Sequence, residues 1–219
     1  YSKAAIKTIY AGLFNVIAQA NMIIKYAEKN GDVIEDPAAR AVITGEAYAI
    51  RAFCQLDVLR LFGQMPQGAS QQVELPYSET TSIDEMPAYY GFDAYVAKLE
   101  SDLVKAESFL KDSDPVFQYT FSNLNSVSGN ELNDSYMYYR QARMNYWAVK
   151  AIQARMYLYL GKKEKAYALA KGIIDAKGVD GKPVMTMSGE TDIAKGYKTC
   201  PSECLLYLSK CPEPTCTSV

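Results

Sequence analysis

Ala154 and Ala166 sit where two antiparallel helices have to touch, and the residues around them specify a helical hairpin. Tyr157 follows Ala154 by three positions and Gly161 closes that helix, while Ala166, Ala170 and Ile173 lie on the return helix. The order small, aromatic, Gly, Ala, small, apolar lets two helices pack closely and offer a groove to a neighbour. Small residues at the crossing let the helix axes approach to about 8 Å. Stacked hairpins of this kind serve binding more often than catalysis.

The rest of the chain carries the same helical periodicity. A first helix is predicted from about Lys3 to Lys29, with Ile6, Ile9, Tyr10, Leu13, Ile17, Ala20, Ile24 and Ala27 on one stripe and Asn30-Gly31 as its stop. Asp36 and Pro37 are the N-cap and first helical residue of a second helix, which ends at Leu61-Phe62-Gly63 ahead of Pro66. Gly45 inside that helix costs ~1 kcal/mol relative to Ala, a cost that close approach of another helix would offset. A third helix begins near Phe92 and carries Tyr95, Val96, Leu99, Leu103, Ala106 and Leu110 on its apolar face. The fourth and fifth, about Tyr138 to Leu160 and Lys162 to Lys177, form the hairpin, with Gly178 as C-cap and Asp180-Gly181 as a tight turn. Leu205 to Leu208 is too short to assign by period. Five helices and no credible sheet predict an all-α chain with tetratricopeptide-like hairpins. Two long irregular stretches, Gln64–Gly91 and Asp112–Asn133, interrupt it. Loops of that length in a compact domain tend to be functional or disordered, so ligand contacts are expected there.

Composition narrows the function. The 219 residues hold 49% hydrophobic and 22% charged side chains with a net charge of −2, which suits a globular domain and lacks the basic stripe of a nucleic-acid binder. Lys162, Lys163 and Lys165 read as a solvated face. There is no histidine, which removes Ser-His-Asp and Cys-His catalysis and imidazole metal sites. Cys54 reads as a small core residue, whereas Cys200, Cys204, Cys211 and Cys216 crowd the C-terminal end. Their C-x3-C-x6-C-x4-C spacing lacks the C-x2-C knuckles of structural zinc. It is compatible with one or two disulfides in an exported protein and with incidental thiols on a flexible tail. No cofactor or metal is expected. No run reaches the ~18 uninterrupted apolar residues of a membrane span. Tyr1 is not an initiator Met, so a natural start is expected upstream, where a signal peptide or lipoprotein cysteine would lie.

Three ordered segments resemble the SusD/RagB family of outer-membrane nutrient-binding lipoproteins. Gly45-Glu46-Ala47-Tyr48-Ala49-Ile50-Arg51-Ala52-Phe53, continuing through Asp57, Arg60, Phe62 and Gly63 to Pro66, is similar to the family helix E-A-x-x-x-R-A-F…D-x-x-R-x-F-G-x-x-P. Leu75-Pro76-Tyr77, the helix with Asp102, Leu103, Ala106 and Leu110, and Asp114-Pro115 form the second segment. Arg143-Met144-Asn145-Tyr146-Trp147-Ala148-Val149-Lys150-Ala151, then Ala154-Arg155-Met156-Tyr157-Leu158-Tyr159 and Gly161, form the third; Asn15–Ile24 resembles the family's first helix. The resemblance implies a non-enzymatic, surface-exposed lipoprotein of the outer membrane, lipid-anchored by a part not in this chain. Such a protein caps a SusC-like TonB-dependent transporter and delivers oligosaccharide or, in RagB-like relatives, peptide. Family members are longer, so residues 1–199 are expected to form an incomplete SusD-like helical domain and 200–219 a Cys-rich tail. The alternative function is a tetratricopeptide-type adaptor for a peptide or protein partner.

None of these motifs encodes ligand residues, so candidates come from side-chain chemistry. Sugar pockets set aromatic faces against C–H surfaces and use amides and carboxylates for the hydroxyls. Phe117, Tyr119, Phe121 and Asn123, with Gln118 and Asn125, supply that mixture in one loop; Tyr89 and Tyr90 beside Asp84 and Glu85 supply it in the other. Either cluster could instead anchor its own loop. Tyr136, Tyr138 and Tyr139 read as packing, and Arg51, Arg60, Arg143 and Arg155 as structural partners of carboxylates such as Glu46 and Asp57. A carboxylate hydrolase built on those two acids is disfavoured because both fall on a packed helix.

Overall fold

The computed structural model describes residues 2–29, 33–82, 84–125, 132, 135–190 and 203–206. Helix α1 (Lys3–Lys29) leads to α2 (Pro37–Phe62), then to the short strands β1 (Leu75–Tyr77) and β2 (Ala88–Tyr90). Helix α3 (Phe92–Lys111), a single turn α4 (Phe121–Leu124) and the hairpin α5 (Tyr146–Tyr159) and α6 (Lys163–Ile174) complete the order, joined by 3-10 turns at Pro115–Phe117, Ser135–Met137 and Arg140–Ala142. The first three helices have the expected bounds. Asp36 caps α2 by accepting from Ala38 N–H at 2.9 Å, and Gly63 N–H closes it on the Leu59 carbonyl at 3.0 Å.

Helix α2 is the hub, packed on α1 and on α3, while α5 links α3 to α6. A Cβ added at Gly45 would lie 2.8 Å from Leu110 Cγ and 3.2 Å from the Ala106 carbonyl oxygen, so glycine sets the α2–α3 approach. Leu56, Leu59, Leu99, Leu103 and Leu110 fill the seam. Gly161 turns the chain between α5 and α6 at φ +73°, a conformation side chains disfavour. Ala166 is buried in that hairpin and Ala154 half-buried. Cys54 is buried, and burial pushes its thiol up to about 11.

Two buried arginine clamps tie the layers together. Arg51 donates to both oxygens of Asp102 at 2.7 Å and to Asn21 at 2.9 Å, while Tyr77 donates to Asp102 at 2.6 Å. Asn21 donates onward to the Ser78 and Thr80 carbonyls at 3.1 and 3.0 Å. That network joins α1, α2, α3 and β1. Arg140, fully buried, donates to both oxygens of Asp114, to Glu46 and to the Met144 carbonyl. Arg143 and Tyr136 also donate to Glu46, at 2.8 and 2.6 Å.

Four expectations need correction. The Gln64–Gly91 stretch contains an antiparallel hairpin, with Leu75 opposite Tyr90 and Tyr77 opposite Ala88; strands of three residues are too short to show alternation. The Asp112–Asn133 stretch holds a 3-10 turn and α4 in its described part. The fourth helix starts at Tyr146 rather than Tyr138, because Tyr139 takes a left-handed conformation (φ 55°) and Asn145 caps α5 through Ala148 N–H at 2.9 Å. The fifth ends at Ile174, with Asp175 as its C-cap, and Gly178 instead opens the turn closed by Gly181 N–H to the Gly178 carbonyl at 3.0 Å.

Of the α1 stripe, Ile17, Ala20, Ile24 and Ala27 are buried, but Ile6 and Ile9 face solvent. The stop at Asn30-Gly31, Asn133, Leu208, and Cys200, Cys211 and Cys216 with their pairing lie outside the described residues. The described part of the tail is bonded to the helical body. Gln141 donates to the Cys204 carbonyl at 3.0 Å and Asn145 to the Leu205 carbonyl at 2.7 Å.

Candidate functional site

After α3 the chain is steered by two caps. Asp114 accepts from Val116 N–H at 3.3 Å and Pro115 fixes the first turn position. Thr120 caps α4 by accepting from Asn123 N–H at 3.2 Å, and its hydroxyl also meets the Asn123 side-chain oxygen. These caps turn Tyr119 and Phe121 toward the first turn of α5, where Trp147 lies.

Tyr119, Phe121 and Trp147 line one side of a cleft of about 240 Å³, and the segment from Gly178 to Thr186 lines the other. That second wall is a built turn. Gly178 N–H donates to the Lys182 carbonyl at 2.8 Å, Val184 N–H to the Ala176 carbonyl at 3.0 Å, and Lys182 N–H to Asp180 Oδ1 at 3.1 Å. The Lys182 ammonium stands 3.7 Å from the Asp180 carboxylate at the exposed rim. Phe117, 38% exposed, packs edge-on against Tyr146 at 4.8 Å and lies 6.0 Å from Trp147, buttressing the aromatic wall.

The sequence candidates therefore divide. Tyr119 and Phe121 come together in this cleft, Phe117 supports it, and Asn123 acts in the neighbouring cap. Tyr89 and Tyr90 do not join them. They sit on β2, before the N-terminus of α3, whereas the cleft follows its C-terminus; the helix's 20 residues separate the ends by about 30 Å. Tyr89 is exposed, and Tyr90 lies under Lys98, whose ammonium is 5.2 Å from the ring and bonded to Glu79. Trp147, Asp180 and Lys182 were not among the sequence candidates. The chain's sole tryptophan was the available signal, hidden by its place in a helical motif.

Rings, hydroxyls and backbone groups around one carboxylate and one ammonium form a surface suited to a polyhydroxylated ring. Among the residues lining the cleft, Asp180 is the only carboxylate, while glycoside cleavage ordinarily uses two. Glu46 is held by Arg140, Arg143 and Tyr136, and Asp57 by Arg60 and Arg155 at 2.9 and 3.2 Å. Burial, reinforced by the Glu46 charge, pushes the Tyr136 phenol up. No set of three or more His, Cys, Asp or Glu among the described residues is placed to hold a metal ion.

A second, larger cleft of about 560 Å³ opens between α1, α2 and the segment from Tyr136 to Met144. Val16, Ile23, Ile50, Phe53, Met144 and Leu206 give it an apolar lining, suited to another protein surface rather than to a sugar. Among the described residues, no helix is long and apolar enough to cross a membrane.

No protein-family model matches the sequence, and no curated protein matches it. Solved structures do. A SusD superfamily protein from Bacteroides thetaiotaomicron VPI-5482 superimposes with a TM-score of 0.57 at 23% identity, over 76% of this chain and 31% of its own. A laminarin-binding SusD-like protein gives 0.58 at 18% identity, over 91% of this chain and 36% of its own. A protein from Bacteroides vulgatus ATCC 8482 gives 0.53 at 21%, over 75% and 32%. The chain has the all-α SusD-like fold and spans about a third of the length of the structures it matches.

Proposed function

We propose that this chain is the helical part of a non-enzymatic glycan-binding protein that takes an oligosaccharide in the cleft at Trp147 and delivers it to a SusC-like TonB-dependent transporter. The observation that carries the reading is the aromatic wall of Tyr119, Phe121 and Trp147 facing the polar rim of Asp180 and Lys182. The likeness to a laminarin-binding protein over 91% of this chain supports the ligand class. In this reading the protein works at the cell surface, held to the outer membrane by a lipid anchor.

Because Trp147 is the sole tryptophan, its emission reports directly on the cleft. Titration with laminarin oligosaccharides and a panel of other glycans should change that emission saturably for at least one of them. Absence of any saturable change, with calorimetry equally silent, would reject the glycan reading.

The apolar cleft between α1 and α2 favours a second reading, a tetratricopeptide-type adaptor or a peptide-uptake protein like RagB. A hydrophobic peptide that binds while leaving Trp147 emission unchanged would support it.

A further inference from the structure

One carboxylate joins the two elements that carry the aromatic wall. Asp114 Oδ1 accepts from Val116 N–H at 3.3 Å and so fixes the turn leading to Tyr119 and Phe121. Its Oδ2 accepts from the Tyr146 backbone N–H at 2.9 Å, at the first residue of α5 and beside Trp147. Arg140 holds the same two oxygens at 2.9 and 3.0 Å. Arg140 is itself bound to Glu46 on α2, so the carboxylate is referenced to the core rather than to a loop.

We propose that Asp114, oriented by Arg140, is the positioning residue of the cleft: it fixes Tyr119 and Phe121 relative to Trp147, and through that spacing the affinity for a saccharide ring. This rests on the glycan-binding reading above. The Asp114 carboxylate acts through the backbone N–H groups of Val116 and Tyr146, one on each of the two elements that carry the aromatic wall. Dispersion contacts between rings and sugar C–H groups weaken steeply with sub-ångström gaps, so the relative placement of the rings governs binding. An amide cannot substitute for the carboxylate. In Asp114→Asn the side chain would turn an NH2 donor toward either the Val116 or the Tyr146 N–H, and toward Arg140 in both orientations.

The test compares two equivalent lesions. Asp114→Asn breaks the clamp at the cleft, and Asp102→Asn breaks the Arg51 clamp, which holds α1, α2, α3 and β1. Asp114→Asn should shift Trp147 emission in the ligand-free protein and weaken oligosaccharide binding about tenfold, or ~1.4 kcal/mol. Asp102→Asn should lower the melting temperature while leaving emission and affinity unchanged. Wild-type emission and affinity in Asp114→Asn would overturn the proposal, as would equal losses of affinity in both variants. If the wild type binds no glycan, the functional reading fails, and the ligand-free emission comparison still decides the positioning role. Should Asp114→Asn fail to fold, Asp114→Asn/Arg140→Met removes the stranded buried cation and receives the same measurements, since Glu46 keeps Arg143 and Tyr136.

Discussion

The Arg51 guanidinium and the Asp102 carboxylate meet through two parallel hydrogen bonds of 2.7 Å, both side chains almost wholly buried, locking α2 to α3. Two-point geometry and the extra bonds from Tyr77 and to Asn21 satisfy the groups that burial strips of water. Removing Asp102 leaves the buried Arg51 cation, among the described residues, with only Glu79, 42% exposed and 3.6 Å away, as a counter-charge. Asp102→Ala should therefore cost about 3–5 kcal/mol of unfolding free energy. Arg155→Ala, by contrast, removes a 3.2 Å ion pair with Asp57 and a 5.7 Å approach to the Phe53 ring, both from a guanidinium 43% exposed, and should cost no more than ~1 kcal/mol. Urea unfolding of both variants checks this; comparable losses would show that the buried clamp holds no special place.

Two glycines separate helix propensity from packing. Alanine is the better helix former by ~1 kcal/mol, so Gly172→Ala in α6, where nothing lies within 4 Å of an added Cβ, should stabilise by up to that amount. Gly45→Ala gains the same propensity but drives a methyl to 2.8 Å from Leu110 Cγ and 3.2 Å from a backbone oxygen. Overpacking of that kind costs about 1–3 kcal/mol, so the net sign should be destabilising. Thermal melts that move the same way for both variants would contradict the close-approach account of α2 and α3.

How much of this was legible in the sequence depended on whether local chemistry or distant partners decide each element. Asp36-Pro37 and Gly63 mark the ends of α2 through bonds to residues within one turn, and both ends fall where the sequence puts them. The start of α5 does not. Tyr136, Met137 and Tyr138 continue an apolar pattern, but Arg140 is pulled into the core by Asp114 and Glu46, 26 and 94 residues away, and the helix waits for Asn145. The candidate site splits the same way. Aromatic clustering pointed to Tyr119 and Phe121, whereas the wall of Asp180 and Lys182 reaches them through tertiary folding alone.

Glu107 gives the chain an acid-sensitive contact between α3 and α5. Burial alone would raise its pKa, but hydrogen bonds from Lys150 at 2.7 Å and Gln153 at 2.8 Å bring it below the usual value. A carboxylate depressed in the folded state contributes stability above its unfolded pKa of about 4.3 and loses it as pH falls through the folded value. The destabilisation caused by Glu107→Gln should thus be largest near neutrality and shrink toward about pH 3. Denaturant unfolding at both pH values measures it, and an undiminished effect in acid would refute the charged role.

The two aromatic clusters make opposite predictions, since the cleft at Trp147 takes in Tyr119 and Phe121 and not Tyr89 or Tyr90. Tyr119 contributes a ring to the wall beside Trp147, and Tyr89 projects from the hairpin with 58% of its surface exposed. An aromatic ring contact is worth about 0.5–1.5 kcal/mol beyond its area, so Tyr119→Ala should weaken oligosaccharide binding roughly threefold to tenfold. Tyr89→Ala should leave affinity unchanged, and an exposed side chain costs little stability when removed. Isothermal calorimetry with one glycan against both variants decides between the clusters. Loss of binding in Tyr89→Ala with Tyr119→Ala unaffected would move the site to the other end of α3, onto the β1–β2 hairpin at Tyr89.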